Sequence, residues 1–219
     1  MPGELQQSHL SMTQEGLPII ISAPSGAGKT TLRRALKQRL PNLAFSVSHT
    51  TRPPRENEQD GVDYHFIAKE KFLGMTGQDE FLEWAQIHDN YYGTARKNIE
   101  RTLQKGKDLI LELDVQGVET LRNLKYQGVY IFILPPSMEE LEKRLAGRGT
   151  ESDNQIKQRL EAGKQEIAKI HLYDYVVTNM NVDQSVDIIL AIVLAEKNRM
   201  RRYQPDCPDI RKIIESGNA

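Results

Sequence analysis

Apolar residues gather in four short runs, Leu17–Ser22 (LPIIIS), Asp108–Leu113 (DLILEL), Val129–Leu134 (VYIFIL) and Tyr175–Thr178 (YVVT). Each is a compact apolar run of the kind that a parallel sheet buries on both faces. Between the runs, apolar residues at helical spacing predict helices over Thr30–Leu40, Ala95–Gln104, Val115–Leu124, Ser137–Leu145, Asp153–Ile170 and Val182–Met200. Strand and helix alternate, which predicts an α/β fold around a parallel core sheet.

Two stretches interrupt the alternation. From about Ser48 to Gly93 the chain turns polar and aromatic, with Tyr64, Phe66, Phe81, Trp84, Tyr91 and Tyr92, and reads as a small mixed subdomain inserted between core elements. The second starts at Arg144, passes Gly147 and Gly149 and continues into the polar helix that carries Arg159. Glycines on either side of a charged segment suit a mobile lid. The resulting division is a leader over 1–16, a domain over 17–199 and a tail over 200–219. Within the domain, the core takes 17–47, 94–143 and 171–199, the inserted subdomain 48–93 and the lid 144–170.

Composition narrows the function classes. With 219 residues, 38% of them hydrophobic, the chain is long enough for one catalytic domain with a substantial core. Lysine and arginine number 29 against 30 acids, and the net charge of -1 gives no general reason to expect nucleic acid or a membrane surface as a partner. Any anion site must therefore be local. The single cysteine, Cys207, excludes an intramolecular disulfide framework and a cysteine-rich zinc site, and agrees with a reducing cytoplasm. Residues 1–16 hold no apolar run of signal length and read as a disordered leader on a cytoplasmic protein.

The strongest chemical signal is Ala23-Pro24-Ser25-Gly26-Ala27-Gly28-Lys29-Thr30, with Thr31 following, between the first strand and the first helix. Glycines let successive backbone N–H groups turn inward around a phosphate, and the helix N-terminus adds positive potential. Lys29 reaches the outer phosphates of a nucleoside triphosphate, and the Thr30 hydroxyl can ligate magnesium. The strict pattern of such a P-loop begins with glycine, so this loop must tolerate the Ala23 methyl group at its entry. A chance glycine turn after a strand is the bland alternative, and the strand-to-helix context argues against it.

A second signal is Ser46-Val47-Ser48-His49-Thr50-Thr51-Arg52-Pro53-Pro54-Arg55, where two guanidinium groups stand three residues apart in a loop stiffened by prolines. Guanidinium groups bind phosphate through bidentate charge-assisted hydrogen bonds, and a tyrosine hydroxyl can complete the anion's shell without adding charge. Alone, the segment reads equally well as a solvated basic loop.

It does not stand alone. APSGAGKTT, SVSHTTRPPR, GVDYHF, FLEWAQIHDNYYGT, LELDVQG and LAGRGT together resemble the guanylate kinases, in that family's order, from Gly16 to about Glu196. The resemblance implies a P-loop NTPase-type three-layer fold with an inserted GMP-binding subdomain and a lid, and transfer of the γ-phosphate of MgATP to GMP. By motif position it assigns Ser48, Arg52, Arg55, Tyr64 and Tyr92 to the GMP phosphate, and Glu83, Asp114 and Thr94 to the guanine base. Such a hydrogen-bonded base site rejects adenine because the wrong base leaves buried polar groups unpaired. Without the family context, Glu83 reads as a surface acid beside Trp84, and Thr94 as the N-cap of the helix that follows.

The resemblance further places Arg144, Arg148 and Arg159 over the ATP phosphates, with Lys29 and Arg52 completing a catalytic ring, and Asn179 beside the adenine and ribose. Arg144 and Arg148, four apart, share a helix face if the helix persists that far. Asn179 reads otherwise as a strand-end turn residue. Glu112 occupies a position where many family members carry aspartate, which leaves a magnesium role for it open beside that of a satisfied charge. Arg199, Arg201 and Arg202 read as solvated and non-catalytic.

The implied reaction is in-line attack by a GMP phosphate oxygen on the γ-phosphorus, with Mg2+ accompanying ATP as co-substrate and no general base required. The expected partners are therefore the small molecules ATP and GMP, with dGMP as a second acceptor, and monomer and homo-oligomer both stay open. Guanylate kinase-like domains of scaffold proteins, which bind phosphorylated partners instead, are similar but typically lack a working P-loop, whereas Lys29, Thr30 and the lid arginines are present here. The tail from Pro205 reads as a short helix able to meet a partner subunit.

Overall fold

The computed structural model describes residues 15–40, 43–56, 58–87, 89–147, 152–200, 202, 205 and 207–216. In chain order these form β1 (Pro18–Ser22), α1 (Lys29–Arg39), β2 (Ala44–Phe45), β3 (His49–Thr50), β4 (His65–Phe66), α2 (Lys69–Gly77), β5 (Phe81–Ile87), β6 (Asn90–Ala95) and α3 (Arg96–Gln104). There follow β7 (Leu109–Glu112), α4 (Val115–Asn123), β8 (Val129–Leu134), α5 (Met138–Ala146), α6 (Asp153–Ala168), β9 (Tyr175–Thr178), α7 (Val182–Lys197) and α8 (Pro208–Ser216). No described helix is long and apolar enough to cross a membrane.

The core sheet has the order β2-β7-β1-β8-β9 with every pairing parallel. Side chains alternate across a strand, so β1 supplies both faces. Ile19 and Ile21 pack with Leu32 and Leu36 of α1 and with Val186, Ile189 and Val193 of α7. Ile20 points the other way, into a cluster with Leu111, Tyr130, Phe132, Ile99 of α3, and Val118 and Leu121 of α4. The three-layer α/β/α arrangement follows from these two apolar faces. Fully burying each such side chain contributes about 1.5–3 kcal/mol.

A second sheet, ordered β4-β3-β6-β5, mixes parallel and antiparallel pairing. Its own small core stacks Phe72 of α2 on Phe81 of β5, with ring centroids 4.5 Å apart.

Helix starts follow local chemistry. Ser137 caps α5, Asn181 caps α7, and Ser152 with Gln155 forms a reciprocal capping box on α6. Each helix boundary falls within three residues of the sequence reading, and α1, α4 and α5 shift by a single residue at one or both ends. Ala95 closes β6 and α3 starts at Arg96; α6 stops at Ala168 before a 3-10 turn at Ile170–Leu172; α7 stops at Lys197. Helix α5 ends at Ala146, and Arg148, with the helix face expected to join it to Arg144, lies outside the described residues.

Candidate active site

The C-terminal end of β1 opens into the glycine-rich loop. Ser22 is buried, and its hydroxyl donates to the Leu113 carbonyl at 2.8 Å, which ties β1 to the end of β7. Ala23 and Pro24 are buried and Ser25 is exposed; the Ala23 methyl group joins the core cluster, so the departure from glycine is absorbed by packing. The Ala27 N–H closes a turn onto the Pro24 carbonyl at 3.0 Å. Gly26 and Gly28 have φ of 93° and 99°, left-handed values that side chains resist, and Gly28 is the N-cap residue of α1. A Cβ on Gly28 would lie 2.4 Å from Asn179 Nδ2.

The loop borders a cleft of about 1040 Å³, open mouth included, lined by Ser25, Lys29, Thr30, Thr31, Arg144 and Asn179 among others. Lys29 Nζ reaches back to the Ala23 carbonyl at 3.4 Å, and Thr30 is exposed. Arg144 donates from Nε to Glu140 Oε1 at 2.8 Å and from its two terminal nitrogens toward the carbonyls of Ala27 and Asn179, each at 3.4 Å. Arg159 Nη1 stands 3.3 Å from Ser25 Oγ. Two of the predicted lid arginines thus reach the loop from α5 and α6.

A neighbouring cleft of about 670 Å³, also open, runs between the two sheets. Antiparallel pairing of β5 with β6 sets Glu83 opposite Thr94. The Thr94 hydroxyl, 1% exposed, donates to Glu83 Oε1 at 2.6 Å and lies 3.3 Å from the Ser48 hydroxyl. Burial pushes the Glu83 carboxyl up to about 7; the hydrogen bond from Thr94 opposes that rise and the Asp114 charge adds to it. Asp114 follows β7 and caps α4, its Oδ1 accepting the Gly117 N–H at 2.8 Å. Glu112, at the end of β7, faces the same cleft 3.8 Å from Arg33 Nε. Burial raises its carboxyl above the usual range, against the pull of Lys29.

Tyr64 and Tyr92 line this cleft edge to face, with ring centroids 6.1 Å apart. Lys29 lines both clefts, so the P-loop lysine stands where they meet. Arg52 and Arg55 are not lining residues. Arg52 lies over the rings of Tyr64 and Phe66, at 5.4 and 5.7 Å from their centroids, with its guanidinium on Glu58. Arg55 is exposed at the loop surface.

The guanylate kinase family model matches residues 15–196. The chain belongs to the guanylate kinase family. It is 47% identical over 205 residues to the guanylate kinase of Bacillus subtilis, covering 93% of this chain and 99% of that protein. The guanylate kinase of Caldanaerobacter subterraneus is 46% identical over 193 residues, 88% of this chain and 94% of that protein. The crystal structure of guanylate kinase from Anaplasma phagocytophilum superposes with a TM-score of 0.74 at 33% identity, covering 94% of this chain and 96% of that one. The fold is thus the P-loop NTPase-type fold of that family.

Three readings that treated residues of this chain singly are overturned by their surroundings. Glu83 is 7% exposed and is no surface acid. Thr94 caps nothing, because Ala95 holds the N-cap position of α3 without a side-chain hydrogen bond. Asn179 is more than a turn residue: 3% exposed, it donates from Nδ2 to the Ala27 carbonyl at 2.8 Å and accepts from Ser185 Oγ at 3.1 Å. Its amide therefore braces the P-loop from behind.

Sequence reading missed Ser185 and Glu58. Ser185 gave no signal, being one of several polar residues in the first turns of α7. Glu58 gave a faint one, as an acid three residues beyond Arg55 in an arginine-bearing loop.

Proposed function

We propose that this chain transfers the γ-phosphoryl group of ATP to GMP, giving ADP and GDP, and that dGMP is also an acceptor. The observation that carries the reading is that a P-loop cleft and a carboxylate-lined cleft share Lys29. A donor phosphate on one side of that lysine and an acceptor phosphate on the other would meet there.

The P-loop N–H groups and Lys29 bind the triphosphate of ATP, with Ala23 to Thr31 as the cradle and Asn179 holding the loop's shape. Ser48, Tyr64 and Tyr92, with Arg52 and Arg55, receive the phosphate of GMP. Glu83, Asp114 and Thr94 take the guanine edge, whose N1–H and N2–H2 donors call for acceptors that adenine would leave unused. Negative charge spreads over the transferring group's oxygens, and Lys29, Arg52, Arg144 and Arg159 stabilise it, together with Arg148. The acceptor phosphate is already ionised at neutral pH, so the protein's task is positioning and exclusion of water.

The donor chemistry fits magnesium carried on the nucleotide. Among the described residues no three His, Cys, Asp or Glu side chains gather to hold a metal, while the exposed Thr30 hydroxyl offers a hard oxygen at the P-loop. Thr30 would hold the ion, and Glu112 lines the neighbouring cleft that shares Lys29. When bound, Mg2+ neutralises charge on the phosphates.

The test is ADP formation from MgATP with GMP, dGMP, AMP, UMP and CMP in turn, beside Lys29→Ala. GMP-dependent turnover that Lys29→Ala abolishes is expected. No turnover with any monophosphate would overturn the reading in favour of a phosphate-binding module.

A further inference from the structure

The polar residue most tightly engaged with the proposed acceptor site, yet assigned no part in it, is Glu58. Its carboxylate grips Arg52 through two hydrogen bonds, Nη1 to Oε2 at 2.8 Å and Nη2 to Oε1 at 2.9 Å. Oε2 also accepts the backbone N–H of Arg55 at 2.9 Å. Arg52 Nη1 gives its second hydrogen to the Pro53 carbonyl at 2.7 Å. Both side chains are largely shielded, at 14% and 18% exposure, so this is not a solvated surface pair.

The hydrogen-bond inventory decides what the contact is for. A guanidinium has five N–H groups on two usable edges. Glu58 and Pro53 consume both hydrogens of Nη1 and one of Nη2, the end of the group remote from Nε. The Nε–Nη2 edge stays available, and the guanidinium lies over the ring of Tyr64, itself a lining residue of the cleft. The rings of Tyr64 and Phe66 keep the plane from rotating. Glu58 also draws the Arg55 backbone onto the same carboxylate and so sets the spacing of the two arginines.

We propose that Glu58 is a positioning residue for the acceptor phosphate. It remains bound to Arg52 throughout the reaction and presents the free guanidinium edge, already oriented, to a phosphate dianion. The proposal deepens the functional reading above and rests on it. Its physical basis is preorganisation: an arginine fixed before the ligand arrives loses little rotamer freedom on binding. Glu58 itself touches no substrate.

The experiment compares wild type with Glu58→Gln in the full chain. Gln keeps the shape but replaces one acceptor oxygen with an NH2 group that cannot receive Arg52. Binding of GMP and of guanosine, which lacks the phosphate, is measured by calorimetry, alongside KM for GMP and for ATP. GMP affinity is expected to fall about tenfold and KM for GMP to rise correspondingly, the scale for loss of a charge-assisted hydrogen bond. Guanosine affinity and KM for ATP should not change. In an Arg52→Lys background, Glu58→Gln should add little to the loss of GMP affinity.

Unchanged GMP affinity would overturn the proposal, as would equal losses for GMP and guanosine, which would reveal a merely structural role. Tighter GMP binding by Glu58→Gln would also overturn it, because the pair would then be a latch that the phosphate must break. If Glu58→Gln does not fold, Glu58→Asp is carried through the same titrations, with the same GMP-selective loss expected. Wild type that neither binds nor phosphorylates GMP would defeat the functional reading itself, whereas normal wild-type turnover with an unaltered variant defeats only the role of Glu58.

Discussion

Glu83→Gln separates catalysis from stability at a single atom. In the wild type, one carboxylate oxygen accepts the Thr94 hydroxyl at 2.6 Å, and the group lines the cleft proposed for guanine. Gln can still accept from Thr94, but its NH2 group would then face the guanine N–H donors, leaving them unpaired. An unsatisfied buried donor costs about 1–3 kcal/mol, so kcat/KM for GMP should fall about 5- to 150-fold.

Stability should move the other way. Burial raises the Glu83 carboxyl from 4.5 to about 7. Below pH 4.5 it is protonated in both folded and unfolded chains, so it adds no pH dependence there. Between about 4.5 and 7 the folded chain holds more proton than the unfolded one, so stability declines as pH rises, and above about 7 the cost is complete. Glu83→Gln escapes that cost, and at pH 8 it should be more stable than wild type by about 1–3 kcal/mol. The assays are ADP release at varied GMP, and urea unfolding at pH 5 and pH 8. A variant with wild-type kcat/KM for GMP, or one less stable than wild type at pH 8, would refute the reasoning.

Other outcomes follow from the same geometry. Below about pH 7 the wild-type KM for GMP should climb as Glu83 gains a proton, with a component that Glu83→Gln lacks; identical profiles would contradict this assignment. Gly28→Ala places a Cβ 2.4 Å from Asn179 Nδ2 in a left-handed backbone, which should lower stability by about 1–3 kcal/mol and impair ATP binding in thermal melts with and without nucleotide. Arg159→Gln removes a charge that reaches Ser25 from α6, and should lower kcat more than KM for GMP in steady-state assays.

Strands β1, β7 and β8 were legible because each is a run buried on both faces, β9 as an apolar run at the sheet edge with Val176 exposed, and a P-loop follows β1 in sequence as it does in space. The two-residue strands β2, β3 and β4 were not, since two residues carry no periodicity. Site chemistry made by distant partners was equally hidden. Asn179 meets Ala27 across 152 positions, and nothing near Asn179 in the chain announces that contact. Thr94 looked like a helix cap because the following helix was visible and the strand pairing with Glu83 was not. Asp114 was assigned to the base by motif position, but its cap on α4, which fixes its orientation, required the fold.

The most direct measurement follows the phosphorus atom. ATP labelled on the γ-phosphate is incubated with GMP, Mg2+ and the full-length chain, and the products are separated by chromatography. The account predicts label in the β-phosphate of GDP, matching ADP mole for mole. Label in inorganic phosphate alone, or none released from ATP, would contradict it.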